Sequence, residues 1–426
     1  MKILENNLFE IDKNIMELSE KALEMCKESF KKIEDIQEYN QLKMIKAFQN
    51  AGVSESHFCG STGYGYDDRG RDVLDKVYAY VFDAEDALVR HNFVSGTHTL
   101  TVALFGMLRP GDKMLSVTGI PYDTIRSAIG IEGNYSGSLK DFGIEYSQID
   151  LKQDGTVDYE KIAETVDDTY KMVYIQRSRG YSLRPTLTID EIETICNIVR
   201  SKSSNSIIML DNCYGEFVEK KEPLSVGVDI IAGSLIKNPG GGIAPTGGYI
   251  AGKRELVEMC SYRLTTPGTG KELGATLNTT REMFMGAYHA PHVTGEALKT
   301  AVFASALFEL LGYKVTPKYN VNRGDIIQVI ELNNSDNLVN FCKGIQSGSA
   351  VDSFVSPEPS DMPGYENQVV MAAGAFTLGS SIELSADGPL REPYAVWMQG
   401  GLNFHSGKLG VMLAANSMAK NKFIKE

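Results

Sequence analysis

Cysteine is scarce in this sequence: six residues among 426 (Cys26, Cys59, Cys196, Cys213, Cys260 and Cys342), none in a CxxC pair. That scatter offers neither a zinc cage nor a disulfide framework, and reduced thiols in a cytoplasm are the expectation. Histidine is as scarce, six residues without HExxH spacing. No metal site is expected, and most of these rings are read as structural. Positive charge is in deficit, since 42 Lys and Arg against 55 Asp and Glu leave a formal net charge of −13. A nucleic-acid partner needs a basic face, which this balance argues against. No apolar run reaches the roughly 18 residues of a membrane span. The stretch MKILENNLFEIDKNIMELSE carries acidic residues throughout and lacks the apolar core of a signal peptide. Neither a nucleic acid nor a membrane is an expected partner.

What is present is ordinary globular material. Apolar residues make up 42% and charged residues 23% of a chain long enough for two domains, or one large domain with an appendage. Ile15, Leu18, Ala22, Met25 and Phe30 recur at helical spacing within residues 10–50. A glycine-rich irregular segment, SHFCGSTGYGYDDRGR, occupies 56–71. Short apolar runs follow (DKMLSV, KMVYIQ, SIIMLDN, DIIAGSL and GGYIAGK), separated by helical stretches such as SAIGIEG and IDEIETICNIVRS. Strands alternating with helices predict an α/β domain with a mostly parallel sheet flanked by helices. GEALKTAVFASALFELLGYKV, residues 295–315, reads as a long helix with an apolar face. RGDIIQVIEL, a helix at NLVNFCKGI, and strands around VVMAAGAF and SSIELS then suggest a smaller α+β domain. The expected division is a helical arm over 1–60, a large domain over 61–285 and a small domain over 286–426.

Ligands of open α/β sheets bind beyond the carboxyl ends of strands, so the residues just past each apolar run matter most. After SIIML stands Asp211, in LDNCYGEF, where a carboxylate can equally cap the next helix. After DIIAGSLI stands Lys237, with Ser234 three residues before it and the loop NPGGGIAPTGG after it. A solvated loop lysine is the plain alternative. The other is that the glycines let the backbone approach a flat ligand that the lysine touches. After ALVRHNFVS comes SGTHT, residues 95–99, where Gly96 and Thr97 open a helix whose free N–H groups can hold a phosphate. Lysine, aspartate, hydroxyl and glycine-opened helix at one sheet edge are what pyridoxal 5′-phosphate requires. They supply an imine-forming amine, an acid that keeps the pyridine nitrogen protonated, and phosphate donors.

On these residues the chain resembles the fold-type I pyridoxal-phosphate enzymes of cysteine and methionine metabolism, whose fold is aspartate aminotransferase-like. Within them it is most similar to the bacterial aluminium-resistance proteins of methionine γ-lyase or cystathionine β-lyase type. The resemblance runs from about Gly63 to Arg391. It is sharpest in LDNCYGEF followed by PLSVGVDIIAGSLIKNPGG, which tracks Asp-Asn-x-Tyr, Pro-Leu-x-x-Gly-x-Asp and Ser-x-x-Lys in order. It implies Lys237 as the imine lysine, Asp211 as partner of the pyridine nitrogen, and Ser95, Gly96, Thr97 and Ser234 around the phosphate. Tyr122, in GIPYDTIRS, falls where the group stacks an aromatic on the cofactor ring; turn packing is its plainer role. Tyr66 and Arg69, in GYGYDDRGR, match a Tyr-x-Arg element that reaches a neighbouring subunit's phosphate. Their spacing is one residue longer, and Tyr64 and Arg71 compete for the roles. Arg391, in ELSADGPLREP, matches the arginine that clamps the substrate α-carboxylate, against the alternative of a solvated arginine. The group's Asn-Pro after the middle strand is replaced by QRSRGYS, residues 176–182, which offers Arg179 or Gln176 to the cofactor's phenolic oxygen.

The resemblance implies a lyase that expels a thiol from a sulfur amino acid by β- or γ-elimination, as a homodimer or homotetramer with shared active sites. Aminotransferase chemistry uses the same lysine and aspartate and stays open. So does a hydrolase: Ser234 and Lys237 also form the Ser-x-x-Lys of penicillin-recognising acylases, with Ser335, Asp336 and Asn337 as a second motif but no Lys-Thr-Gly. A non-catalytic member of the fold is the third reading. GGYIAGKR, residues 247–254, nearly fits a phosphate loop, but Arg254 stands where Ser or Thr must bind magnesium, and the segment reads as a strand.

Overall fold

The computed structural model describes residues 8–133, 136–362, 367–379 and 381–424. They divide into two compact units, one formed by 36–294 with 322–325 and the other by the remaining described residues. The N-terminal helix is α1, Lys13–Ala51. In the first unit, helices α2 (Arg69–Val81), α3 (Gly96–Met107), α4 (Asp123–Ile129), α5 (Tyr159–Thr165), α6 (Ile189–Lys202) and α7 (Arg254–Leu264) alternate with strands. The strands are β1 (Asp86–Arg90), β2 (Lys113–Ser116), β3 (Glu145–Gln148), β4 (Tyr170–Gln176), β5 (Ile207–Asp211), β6 (Ile230–Ser234) and β7 (Gly248–Gly252). They form one sheet in the order β1-β7-β6-β5-β4-β2-β3. Neighbours from β3 through β2, β4 and β5 to β6 are parallel, whereas β7 runs antiparallel to both β6 and β1.

The apolar runs are continuous because both faces of the sheet are covered. On β5, Ile208 and Leu210 join Val173 and Ile175 of β4 in one core cluster, under α2 and α6. Ile207 and Met209 join Met172 and Tyr174 in the other, under α3 and α7. This two-residue alternation assigns each side chain to a face. Helix α6 starts on a capping box, with the Thr188 backbone N–H donating to Glu191 Oε2 at 2.8 Å. Helix α4 stops at Gly130, whose φ of 91° suits glycine, so only the first part of SAIGIEG is helical.

A further helix, α8, covers Thr280–Leu310. The second unit holds β8 (Lys314–Thr316), β9 (Gln328–Glu331), α9 (Ser335–Ser347), β10 (Val369–Ala372), β11 (Ser385–Pro389), β12 (Ala395–Gln399) and α10 (Phe404–Ile424). Its strands form an antiparallel sheet in the order β10-β11-β12-β9-β8.

Two expectations need correction. The helix expected over 295–315 is the later part of α8, which begins at Thr280, continues through Pro291 and ends at Leu310, the last expected residues turning into β8. That proline hid the first half, because proline removes a helix donor and disfavours helix in the residue before it. Residues 381–384 of SSIELS form no strand, Ser380 lying outside the described residues. The strand is β11, in SADGP, a segment of low strand propensity that pairs on both sides, with β10 and β12. Strands β3 and β12 and helix α10 add to what the periodicity predicts.

Candidate active site

Parallel pairing aligns the carboxyl ends of β4, β5 and β6. Gln176 stands in register with Asp211, and Asp211 with Ala232, two residues before Ser234. Lys237 follows three residues past the end of β6. Helix α3 opens against the same edge: Ser95 caps it, its hydroxyl accepting from the His98 N–H at 3.0 Å. A Cβ added at Gly96 would lie 3.4 Å from Ser234 Cβ, 3.6 Å from Cys213 Sγ and 4.0 Å from Lys237 Nζ. Glycine at the first position of α3 therefore keeps open a cradle bordered by an amine, a thiol and a serine, at the end of a helix that presents free N–H donors. Those donors suit a phosphate and the amine suits an aldehyde, so the residues present fit pyridoxal phosphate.

A second cluster borders this edge. Thr97 and Thr124 share a hydroxyl contact of 2.6 Å that ties α3 to α4, just beyond Tyr122. The Tyr122 backbone N–H donates to Gln176 Oε1 at 2.6 Å, and a Cβ on Gly180 would lie 2.8 Å from the Tyr122 ring. Tyr122 and the 176–182 loop are thus packed together, and glycine is needed at 180, where φ is +55°. Arg179 is buried in that loop, its Nε 4.0 Å from Asp325 Oδ2. Burial lowers the Arg179 pKa, with Asp325 opposing. Arg184 is buried beside it and donates to the carbonyl oxygens of Gln176 and Ser178. Burial and the like charge of Arg179 bring its pKa down to about 10.

Three further residues act on the lysine without having been assigned from the sequence, Cys213, Tyr214 and Glu216, and Tyr249 holds Glu216 through its hydroxyl. Lys237 Nζ lies 4.0 Å from the centroid of the Tyr214 ring, the place of a cation on an aromatic face. Tyr214 holds that position with φ +69° and Phe217 follows at +62°, a left-handed backbone that non-glycine residues seldom adopt. No composition signal announces such a turn, since neither residue is Gly, Asn or Asp. Burial lowers the Lys237 pKa, but Cys213, Tyr214, Asp211 and Glu216 oppose this and hold the ammonium above the ordinary lysine value. Burial raises the Asp211 carboxyl, while Lys237 and the Cys213 N–H, 3.1 Å from Oδ1, work against it. The seat over the Tyr214 ring favours the charged lysine.

Tyr66 and Arg69 are exposed, Arg69 being the first residue of α2. The Tyr64 and Tyr66 rings lie 5.8 Å apart. Arg71, the competitor of Arg69, is buried and donates to the carbonyl oxygens of Gly65 at 2.8 Å and Gly274 at 3.1 Å. It holds the loop together. In the second unit Arg391 is exposed between β11 and β12, and at the start of α9 Ser335 is half-buried and Asp336 exposed. GGYIAGKR supplies β7, paired on both sides, and no phosphate loop. Among the described residues no cluster of His, Cys, Asp or Glu could hold a metal, and no helix is long and apolar enough to cross a membrane.

The profile of the family described as methionine gamma-lyase matches residues 15–419. This chain belongs to the methionine gamma-lyase family. Several solved structures are closely similar to it. A carbon–sulfur lyase involved in aluminum resistance from Clostridium novyi NT is 53% identical, with TM-score 0.92, 95% of this chain and 96% of that one being covered. A Clostridium acetobutylicum protein involved in aluminum resistance is 50% identical, with TM-score 0.94 and coverage of 98% and 99%. At 16% identity, the pyridoxal-5′-phosphate dependent protein YhfS from Escherichia coli gives TM-score 0.62 over 91% of this chain and 97% of its own, a likeness of fold. The methionine gamma-lyase family chain thus has a fold-type I architecture: a mostly parallel seven-stranded sheet flanked by helices, with a separate antiparallel sheet toward its C-terminus.

Proposed function

We propose that this chain is a pyridoxal-phosphate-dependent carbon–sulfur lyase that acts on a sulfur amino acid by β- or γ-elimination. The observation that carries the reading is the cradle at Gly96, which brings a helix N-terminus, Ser234 and the amine of Lys237 within van der Waals reach of one point. Family membership and the carbon–sulfur lyase among the solved relatives support the choice of lyase chemistry. Pyridoxal phosphate, when bound, supplies an electron sink for a carbanion at the substrate α-carbon. In this reading Lys237 carries the cofactor and, once released, moves the proton at that carbon as a general base. Asp211 would keep the pyridine nitrogen protonated; Ser95, Gly96, Thr97 and Ser234 would hold the phosphate; Tyr122 would pack on the cofactor ring, and Arg179 would serve the cofactor's phenolic oxygen. Arg391 clamps the substrate carboxylate. With water, the products are a thiol, ammonia and a 2-oxo acid. We place this chemistry in the cytoplasm.

A panel of sulfur amino acids, read for both thiol and 2-oxo acid, tests the proposal. Release of both is expected. A 2-oxo acid without thiol, dependent on a second 2-oxo acid as amino acceptor, would replace the lyase by an aminotransferase. In the same assay Arg391→Ala should weaken every amino-acid substrate by about tenfold or more while leaving the cofactor spectrum unchanged, since a lost charged partner typically costs more than 1.4 kcal/mol. Equal affinity in the variant would release Arg391 from this role.

The exposed Arg69 and Tyr66 suit a role across a subunit boundary, and we propose a homodimer or homotetramer with shared sites. Lys237→Ala and Arg69→Ala proteins should each be nearly inactive. Mixed with free exchange, they should recover up to about a quarter of wild-type activity, because half the dimers then hold one intact site. No recovery, with exchange verified by mass, would confine Arg69 to its own chain.

A further inference from the structure

We infer that Glu216 is a positioning residue for Lys237, its buried carboxyl setting the pH at which that lysine gives up its proton. The inference rests on the reading of Lys237 as the cofactor-bearing amine. Glu216 lies in the loop after β5 and is fully buried. Its Oε1 accepts from the Tyr249 hydroxyl at 2.8 Å, while Oε2 is buried without a hydrogen-bond partner. Gly233 of β6 makes room for this pair, because a Cβ there would lie 2.6 Å from Glu216 Oε1 and 2.6 Å from Tyr249 Cε1. The loop is fastened beside the lysine: Asn238, the next residue, donates its side-chain N–H to the Glu216 carbonyl at 2.9 Å.

A buried carboxyl with one oxygen unpartnered is unfavourable, and glutamine would keep the tyrosine bond without any ionisable group. An acid in this place points to a use for its charge. The charge of Lys237, whose neighbour Asn238 is bonded to this loop, favours the ionised carboxyl, and Glu222 opposes it. Burial pushes the Glu216 pKa up to about 8, with Tyr249 and Lys237 pulling the other way. The remaining titratable groups around it are Tyr78 on α2, Tyr249 on β7 and Cys213 on its own loop. Burial raises all three, so they stay neutral near neutral pH. Lys237 faces Asp211, Tyr214 and Cys213 besides Glu216. Ionised Glu216 therefore stabilises the ammonium form of Lys237, and a neutral side chain at 216 removes that stabilisation. Only the neutral amine can add to an aldehyde.

The experiment uses the full-length enzyme stripped of cofactor, to which pyridoxal phosphate is returned across the neutral and alkaline range. The rate of attachment is read from absorbance. Glu216→Gln should move the midpoint of the pH–rate profile downward by about one pH unit, equivalent to roughly tenfold faster attachment below the midpoint. Tyr249→Phe removes the donor to Oε1, makes Glu216 harder to ionise, and should move the midpoint the same way by less. A merely structural role predicts lowered thermal stability in both variants and unmoved midpoints. An unmoved midpoint in folded Glu216→Gln overturns the inference, and Tyr249→Phe decides if the glutamine variant does not fold. Wild type that fails to attach the cofactor at Lys237 overturns the cofactor reading and this inference together. An unmoved midpoint in variants that do attach it overturns this inference alone.

Discussion

Lys237→Ala is expected to lose all turnover and all covalent attachment of pyridoxal phosphate, while still folding. The side chain ends over the Tyr214 ring and beside the Gly96 cradle, just past the carboxyl end of β6. It is assigned two tasks, to bear the cofactor and to move the α-proton, and alanine removes both. General-base catalysis alone is worth roughly a hundredfold to ten-thousandfold, so loss of the tether and the base together should leave no measurable rate. Folding is a separate matter. Lys237 packs against the loop of 213–217 but lies in neither core cluster, so its truncation removes little apolar burial. Residual turnover above background, in protein shown to lack wild-type contaminant, would contradict its role.

Asp211→Ala carries the second large effect. Asp211 is buried at the end of the central strand β5. Its carboxyl is fixed by the Cys213 N–H at 3.1 Å. A pre-organised charge in such a place acts without reorganisation, and removing one typically costs about a hundredfold or more in turnover. The variant should still take up cofactor, because the phosphate and amine contacts lie elsewhere. Asp211→Asn tests whether charge or shape matters: it keeps the volume but cannot hold a proton on a ring nitrogen, and should resemble alanine. Near-normal turnover in either variant, with cofactor bound, would mean that another group protonates the ring.

How far the sequence disclosed these features follows from their physics. The parallel sheet was legible because β4, β5 and β6 are buried on both faces and so read as continuous apolar runs. That Lys237, Asp211, Ser234 and Gly96 gather at one sheet edge was legible because the strand-end rule directs attention to the residues that follow such runs. The shell around the lysine was not. Tyr214 and Phe217 take left-handed conformations that tertiary contacts impose on residues without that preference. Glu216 meets Tyr249, 33 residues away, only when β6 and β7 pair antiparallel. The first half of α8 was hidden by Pro291, and β11 by glycine and proline that pairing on both sides overrides.

The most direct test of the central claim is the position of the cofactor's bond. Cofactor-loaded protein, reduced with borohydride and digested, should yield one pyridoxyl-bearing peptide, with the added mass on Lys237 and none in Lys237→Ala. Labelling at a different lysine, or none in protein incubated with pyridoxal phosphate, would contradict the account.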